Sequence, residues 1–316
     1  MSKKQQKKYE FTGETKVEFG ITLHRIRAVV AIAAIDVAAG DLGGWIEKES
    51  NLSLVSGDAW VSGNARVSGN ALVYGDALVS GDAWVSGNAW VSDNALVSGN
   101  ALVYGDALVS GNALVSGNAR VSDNALVSGN ARVSGNALVS DNALVSGDAR
   151  VSDNALVSDN ARVSGDAWVS DNALVSDNAR VSGDAWVSDN ALVSGDALVS
   201  DNALVSGNAR VSDNARVYGN ARVSGNAWVS GNARVYGKII SATRTDGYTF
   251  TVFHDHEYVV HIAAGCRYFT IEEARQHWRA TRGGTKLGDE SLALIDHLER
   301  MAKLQDWQKP VAEAAE

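Results

Sequence analysis

The sequence predicts an all-β protein whose central part is a parallel β-helix, and three observations predict it. From Val55 to Arg234 the chain consists of 30 consecutive hexads without an interruption. Each hexad has Val first and Ala fifth, and only Gly, Asn or Asp occupies its third and fourth positions. A period of six matches neither the α-helix nor a coiled-coil heptad, but it accommodates a short strand followed by a two-residue corner.

The hexad itself indicates which side chains face inward. In a four-residue strand such as residues 59–62, alternation places Ala59 and Val61 on one side and Trp60 and Ser62 on the other. Val and Ala recur in every hexad, so we expect them to form the core. The corner residues tolerate left-handed backbone far better than branched residues do. Three corners close a triangular coil, and we expect about ten coils over residues 55–237.

The outward side chains of such coils form rows with a spacing of three hexads. A soluble monomer seldom displays contiguous apolar rows, and Trp is enriched where protein interfaces gain most of their energy. We therefore expect a homodimer or homotrimer that associates through these rows. The alternative is that the large side chains only shield the strands beneath them. The candidate residues are Leu138, Leu156, Leu174, Leu192, Trp168 and Trp186.

Acidic residues concentrate at the corners of the predicted coils. The repeats contain 18 Asp and 10 Arg, and they account for most of the formal charge of −9. Neighbouring carboxylates about 4.8 Å apart repel unless cations or a basic partner relieve them. An acidic edge could imitate a phosphate backbone or collect divalent cations; alternatively, Asp is only an acceptable corner residue that gives solubility. The predicted edges contain Asp123, Asp141, Asp159 and Asp177, and Asp153, Asp171 and Asp189.

Residues 1–54 are predicted to form an N-terminal β cap. Strands are expected at residues 9–11, 17–26 and 29–37, leading into an irregular first coil at 45–54. Such a cap covers the unpaired strand edge that the first coil of a solenoid would otherwise expose.

The composition excludes several classes of protein. The apolar run of residues 28–35 is too short for a membrane span, and a single Cys rules out a disulfide framework. The start contains no signal-peptide pattern, so we expect a cytoplasmic protein without a membrane partner. Its lysines, Lys3, Lys4, Lys7 and Lys8, are interpreted as a solvated tail. The acidic charge argues against direct nucleic-acid binding.

Residues 238–316 are predicted to form a small α+β C-terminal cap. Segments 248–253 and 258–262 indicate a hairpin. Thr270 and Glu273 have the spacing of a capping box, which predicts a helix to about residue 279.

A second helix is expected over residues 290–304, followed by a loose segment after Trp307. An apolar stripe marks the face of this helix that we expect to be buried. It contains Leu294, Ile295, Leu298, Met301 and Ala302.

Few residues in the chain could perform chemistry. Residues 55–234 contain no His, Cys, Lys, Glu or Thr. His254, His256, His261 and Cys266 lie close together in the C-terminal cap, but their spacing fits no established zinc pattern. We interpret them as polar hairpin residues with a buried Cys, and we predict no catalytic, cofactor or metal site.

The hexads resemble those of the hexapeptide-repeat proteins, in which an aliphatic residue and a small residue four places later mark a left-handed parallel β-helix. This resemblance implies the left-handed form of the predicted solenoid. The same coil occurs in many acyltransferases, which use a general base, most often His, and a crevice for the acyl carrier. It also serves proteins that are not enzymes.

The flanks carry a second, narrower resemblance. Before the repeats stands Gly-Asp-Leu-Gly-Gly-Trp-Ile-Glu at residues 40–47. After them stands Gly-Cys-Arg-Tyr-Phe-Thr at residues 265–270, with Glu273 and His277-Trp278. These segments are similar to those of hexapeptide-repeat proteins of bacteria and their phages and prophages, some of which are labelled putative acetyltransferases.

The sequence thus favours a non-enzymatic, phage- or prophage-type interaction scaffold. It would associate with itself through apolar faces and present acidic edges to a host protein, in one version as a nucleic-acid-mimicking inhibitor. An ice-binding surface is not indicated, because bulky side chains flank each row of Ser. The competing hypothesis is an acyltransferase whose base is His254, His256 or His261.

Overall fold

The computed structural model describes residues 7–55, 57–265, 267–305 and 307. The chain forms two compact units, Met1–Asp166 and Ala167–Glu316. The predicted class, a parallel β-solenoid with a β cap before it and an α+β cap after it, is confirmed. No helix among the described residues is both long and apolar enough to cross a membrane.

The first unit begins with a β-hairpin whose strands are longer than predicted. Strand β1 is Tyr9–Glu18 and strand β2 is Ile21–Ala28, and the two pair antiparallel. The expected break after Phe11 is instead a register shift between Phe11 and Thr15, where Gly13 adopts a φ of +89°. A bulge of this kind bends a strand without ending it, so one strand forms where two were predicted.

The prediction of a strand over residues 29–37 is wrong. A bridge between Ile32 and Val37 and a 3₁₀-helix at Ala33–Ile35 occupy this segment, and Asp36 ends the helix in a left-handed conformation. The segment stays outside the sheet, in which strand β3, Leu42–Ile46, pairs directly with β2.

Strand β3 also begins the first face of the solenoid. It pairs parallel with Arg66–Val67, while a 3₁₀-helix at Glu49–Asn51 leads to Leu52, which bridges to Val73. The irregular first coil predicted here is therefore present.

Lys8 contradicts the prediction of a solvated lysine tail. Its side chain is buried, and its Nζ donates a hydrogen bond to the carbonyl oxygen of Gly57 at 3.1 Å. Burial lowers the pKa of Lys8 to about 8, although Asp58 and Asp76 oppose this shift. Lys7 pairs with Glu49, and Lys3 and Lys4 lie outside the described residues.

The coils of the first unit consist of two-residue strands that recur every six residues, from Trp60–Val61 to Arg162–Val163. Each strand pairs in parallel with the strand three hexads later, so Leu102 lies beside Arg120. The prediction of four-residue strands is wrong for a local reason. The amide of Ala usually donates a hydrogen bond across the corner, as Ala65 does to the carbonyl oxygen of Ser62 at 3.2 Å. It therefore does not join the hydrogen bonds between adjacent strands.

The inward assignment of Val and Ala is confirmed. From Ala59 to Val163 every Val and Ala of the hexads is at most 1% exposed. The exception lies earlier, at Val55, which is 40% exposed because the first full coil has not yet begun. Close packing of small and branched side chains thus fills the interior of these coils.

The two corner positions have different roles. The first, always Gly or Asp, adopts a left-handed backbone, with φ of +58° at Asp123 and +70° at Gly129. The second forms side-chain ladders, in which the Nδ2 of Asn donates to the Oδ1 of the residue 18 positions later. Members of these ladders in the first unit are Asn70 to Asn88, Asn88 to Asp106, Asn100 to Asn118, Asn118 to Asn136, and Asn130 to Asp148.

The second unit contains further coils, with two-residue strands every six residues from Trp168–Val169 to Arg234–Val235. Their Val and Ala side chains are again at most 1% exposed. The amide of Tyr236 donates to the carbonyl oxygen of His254 at 3.2 Å, which joins the last coil to the C-terminal cap.

The C-terminal cap is an antiparallel sheet covered by two helices. Its strands, in sheet order, are β4 (Ile240–Thr243), β5 (Thr249–His254), β6 (Val260–Ala264) and β7 (Arg267–Thr270). The hairpin β5–β6 matches the prediction within a few residues, whereas β4 and β7 were not predicted.

The helices of the cap begin at side-chain caps. Helix α1, Ile271–Arg282, has the predicted capping box: Thr270 Oγ1 accepts from the Glu273 amide, and the Thr270 amide donates to Glu273 Oε2. Helix α2, Lys286–Leu304, starts four residues before the expected position because Thr285 Oγ1 accepts a hydrogen bond from the Gly288 amide.

The cap has its own hydrophobic core. Phe250 and Ile262 of the sheet pack with Trp278 of α1 and with Ile295 and Leu298 of α2. The apolar stripe predicted for α2 is buried to different degrees. Ile295, Leu298 and Ala302 are buried, whereas Leu294 and Met301 are half-buried. The segment predicted to be loose, residues 308–316, lies outside the described residues.

Candidate interaction surfaces

Within each unit, the predicted apolar side chains lie in register on adjacent strands. Leu138 lies beside Leu156 in the first unit, and Leu174 lies beside Leu192 in the second. All four leucines are half-buried, because neighbouring outward side chains cover part of each one. This partial burial is also what simple shielding of the strands would produce.

Trp168 and Trp186 form a more exposed pair in the second unit. They lie in register, and their rings stack with centroids 5.1 Å apart and an interplanar angle of 6°. The Nε1 of Trp186 donates to Ser170 Oγ at 3.2 Å. The two residues nevertheless remain 38% and 41% exposed. Together they present an ordered aromatic surface, which Leu204 extends by lying beside Trp186.

Two other exposed tryptophans were missed by the sequence reasoning. Trp90 of the first unit is 49% exposed, and Trp228 of the second is 36% exposed. Trp90 lies in register between Leu72 and Leu108, and Trp228 lies beside Arg210, but the prediction took only one row of leucines and the pair Trp168 and Trp186. The six-residue period does place both side chains outward, and that signal was available.

The aspartates of the predicted acidic edges occupy the first, left-handed corner position. Their φ values lie between +58° and +61°. Ser hydroxyls at the preceding position donate to many of these carboxylates, as Ser122 does to Asp123 at 2.9 Å. The Oδ2 atom also accepts backbone amides 18 residues later: Asp177 accepts from Gly195 and Asp189 from Gly207, each at 2.9 Å.

These bonds give the corner carboxylates a structural role. An amide donor from the next coil relieves the repulsion between stacked carboxylates without a cation. The sequence carried a signal for this role. Every Asp at the first corner position stands in the order Ser-Asp-Asn, so a hydroxyl always precedes it. Where Tyr replaces that Ser, the first corner residue is always Gly. The edges nevertheless remain negatively charged.

The cap histidines do not converge on one point. His261 Nε2 lies 3.0 Å from Asp255 Oδ2, while its Nδ1 is buried without a described partner. His254 is buried and its Nδ1 lies 2.9 Å from the Asp255 carbonyl oxygen, whereas His256 is exposed. Cys266 lies outside the described residues. Among the residues with described positions, no three His, Cys, Asp or Glu side chains gather in a way that could hold a metal.

Asp255 organises the turn between β5 and β6. Its Oδ1 accepts hydrogen bonds from the amides of Glu257 and Val259, at 2.9 and 3.0 Å. Burial opposes the ionisation of Asp255, but the hydrogen bonds from His261 and from the two amides outweigh it and lower the pKa. The Asp255–His261 pair therefore holds the turn, and Tyr268 stacks on the imidazole at 4.6 Å.

Comparison with protein families identifies the YdcK β-solenoid repeat. Its model matches overlapping stretches of the coils in both units. The matches are residues 59–75, 65–81, 71–87, 89–105, 95–111, 119–135, 131–147, 149–165, 155–171, 173–189, 209–225 and 215–231. A search of curated protein sequences gives no significant match.

Solved structures with a similar fold include three acyltransferases. The UDP-N-acetylglucosamine O-acyltransferase of Moraxella catarrhalis is 11% identical, with a TM-score of 0.44 over 72% of this chain and 92% of that one. LpxA of Acinetobacter baumannii is 11% identical, with a TM-score of 0.41 over 76% and 84%. The Arabidopsis UDP-N-acetylglucosamine acyltransferase is 12% identical, with a TM-score of 0.35 over 80% and 95%.

Proposed function

We propose that this chain, a hexapeptide-repeat left-handed β-helix protein, acts as a non-enzymatic interaction scaffold. It associates with copies of itself through outward apolar side chains and presents its acidic corners to a protein partner. The observation that carries the proposal is the stacked, exposed pair of Trp168 and Trp186.

The tryptophan pair has the properties of an interface centre. Its side chains are already ordered by stacking and by the hydrogen bond to Ser170, so association costs little conformational entropy. Large aromatic side chains in a packed centre contribute most of the energy of many interfaces. A closed dimer or trimer is the usual way to bury a recurring surface.

The acidic corners support the second part of the proposal. The carboxylates are fixed by backbone amides, so a basic protein would meet a preordered line of negative charge. In its most specific form, the partner is a nucleic-acid-binding protein of the bacterial host that the acidic edge inhibits by imitating a phosphate backbone. The phage or prophage type and the host cytoplasm belong to this form, which the similarity of the flanks supports.

The test of self-association is the double variant Trp168→Ser and Trp186→Ser. We expect wild-type protein to sediment as a dimer or trimer at micromolar concentration, and the variant to sediment as a monomer with an unchanged circular dichroism spectrum. The matched control is Arg132→Ser and Arg150→Ser, another outward pair in register. A monomeric wild-type protein, or equal dissociation of both variants, contradicts the proposal.

The alternative is an acyltransferase that uses a cap histidine as its base, and the Asp255–His261 hydrogen bond favours it. A carboxylate can orient a catalytic imidazole. Against it, the ring nitrogen of His261 that Asp255 leaves free is buried. Isothermal titration with acetyl-coenzyme A separates the two functions, because the enzyme requires binding and the scaffold does not.

A further inference from the structure

A pocket of about 350 Å³ lies in the second unit, where the last coils meet the turn after β5. Arg216 and Arg234 form one wall, and the side chain of Leu198 lies next to Arg216 in the same row. Tyr218 of the coils and His256 of the C-terminal cap also line the pocket. The volume is within the range of pockets that hold small molecules.

The two arginines of the pocket are in register on adjacent strands. Their backbones are therefore about 4.8 Å apart, a spacing at which like charges destabilise each other. Within the described part of the chain, neither guanidinium makes an ion pair. By contrast, Arg244 pairs with Asp246 at 2.6 Å and Arg275 with Asp296 at 2.8 Å in the same unit.

Asp201 is the carboxylate that lines the pocket, and it is already engaged. Its Oδ2 accepts a hydrogen bond from the Gly219 amide at 3.0 Å, in the manner of the other corner aspartates. One carboxylate committed to the backbone does not neutralise two guanidinium groups. The side chains that line the pocket therefore carry two guanidinium groups against one carboxylate, in a protein whose formal charge is −9.

The cap supplies further hydrogen-bond donors. His256 is exposed on the turn that Asp255 holds in place. Burial, and then the charge of Asp255, raise the pKa of Tyr218, so its phenol stays protonated and can donate. Guanidinium, imidazole and phenol groups together form a donor set that suits an oxyanion.

We propose that this pocket binds the oxyanion group of a small molecule, a phosphate or a carboxylate, between Arg216 and Arg234. The guanidinium groups provide paired N–H donors, and the side chain of Leu198 contacts an apolar part of the same ligand. This inference is independent of self-association, because it uses none of the tryptophans assigned to the interface.

The chain contains its own control for this site. Arg132 and Arg150 of the first unit lie in register in the same way. Two positions after Arg132 the sequence has Ser134, where the pocket has Tyr218 two positions after Arg216. If anions were attracted to any pair of adjacent arginines, both pairs would bind them equally. If the whole pocket forms the site, only Arg216 and Arg234 would bind them.

The experiment is calorimetric titration of the full chain, at low ionic strength, with inorganic phosphate in one arm and succinate in the other. We expect saturable binding of at least one probe, and at least a tenfold loss of affinity in Arg216→Gln with Arg234→Gln. The control variant, Arg132→Gln with Arg150→Gln, should bind as wild type does. The arm that binds identifies the oxyanion. Absence of binding in both arms, or equal loss in both variants, would overturn the proposal.

Discussion

The two ends of the chain cover strand edges in different ways. The N-terminal flank extends the coils themselves: β3 pairs with Arg66–Val67, and the Tyr9 hydroxyl donates to the carbonyl oxygens of Glu49 and Leu52. The C-terminal flank is a separate layer with its own core, built around Trp278 and Leu298. It packs against the last coils and is joined to them by hydrogen bonds such as that from Ser230 Oγ to the Gly265 carbonyl oxygen.

Two different kinds of structure can therefore cover the strand edge at the end of a solenoid. A flank whose backbone hydrogen bonds are made with the coils should unfold together with them. A flank with its own hydrophobic core should respond to mutation by itself, since stability in large proteins is lost in local cooperative units. Three experiments on the flanks and one on the coils between them test this distinction, in order of decreasing expected effect.

Removal of residues 238–316 should have the largest effect. The deletion exposes the last coil, whose unpaired amides and carbonyl groups offer a template for another strand edge. We expect filaments or large aggregates, detected by light scattering and electron microscopy. A truncated protein as small and as soluble as the full chain would show that the cap does not protect this edge.

The substitution Leu298→Ala tests the independence of the C-terminal core. Leu298 is fully buried, so its truncation should cost about 2–5 kcal/mol. Hydrogen exchange should accelerate in α1 and α2 while the coil amides of the first unit keep their protection. The control is Leu304→Ala, at a side chain that is 71% exposed, which should change stability by less than about 0.5 kcal/mol. Equal acceleration in those coils would mean that the cap is not an independent unit.

The substitution Ala143→Leu tests the interior of the coils. Ala143 is fully buried in a narrow core, so the larger side chain should cost about 1–3 kcal/mol. A chemical denaturation curve followed by circular dichroism measures the loss. Its neighbour Leu144 points outward and is half-buried, so Leu144→Ala should cost less. The reverse order would mean that the inward assignment is wrong at this coil.

The pH dependence of the N-terminal flank should show the smallest effect. The pKa of Lys8 falls from an ordinary value of 10.5 to about 8 in the folded protein, chiefly through burial. Between these values the unfolded chain binds more protons than the folded one, so stability should rise with pH. We expect the melting temperature to rise between pH 7.5 and pH 9.5, and to rise more in the wild-type protein than in the variant Lys8→Met. An equal gain in both proteins would place the titrating group elsewhere.

The parts of the fold that repeat were predictable, because their causes are local. Val and Ala face inward by strand alternation, and the left-handed corner requires a residue such as Gly or Asp. The capping box at Thr270 is likewise a signal of four residues. The segment 29–37 misled the prediction because its apolar residues suggest a strand, whereas in the structure β3 takes the place beside β2.

The candidate surfaces were less predictable, because they depend on contacts between distant residues. The period of the repeat aligned the aspartates, but it could not show that Asp177 accepts the Gly195 amide. The pocket was also hidden, since His256 reaches Arg216 only through the fold of the cap. Neither pattern appears when a single hexad is read by itself.

The uniform corners of the coils have a consequence for how such a chain can change over generations. Every corner has Gly or Asp first and Asn or Asp second, so loss of one hexad from the first unit would stack each later corner on residue types that the corners already use. The outward residues would not be preserved in this way, because each later side chain would move to the neighbouring face. Leu138 would then occupy the place that Arg132 holds now. A single short genetic slippage could therefore rearrange the whole later surface while the backbone hydrogen bonds and the core stay intact.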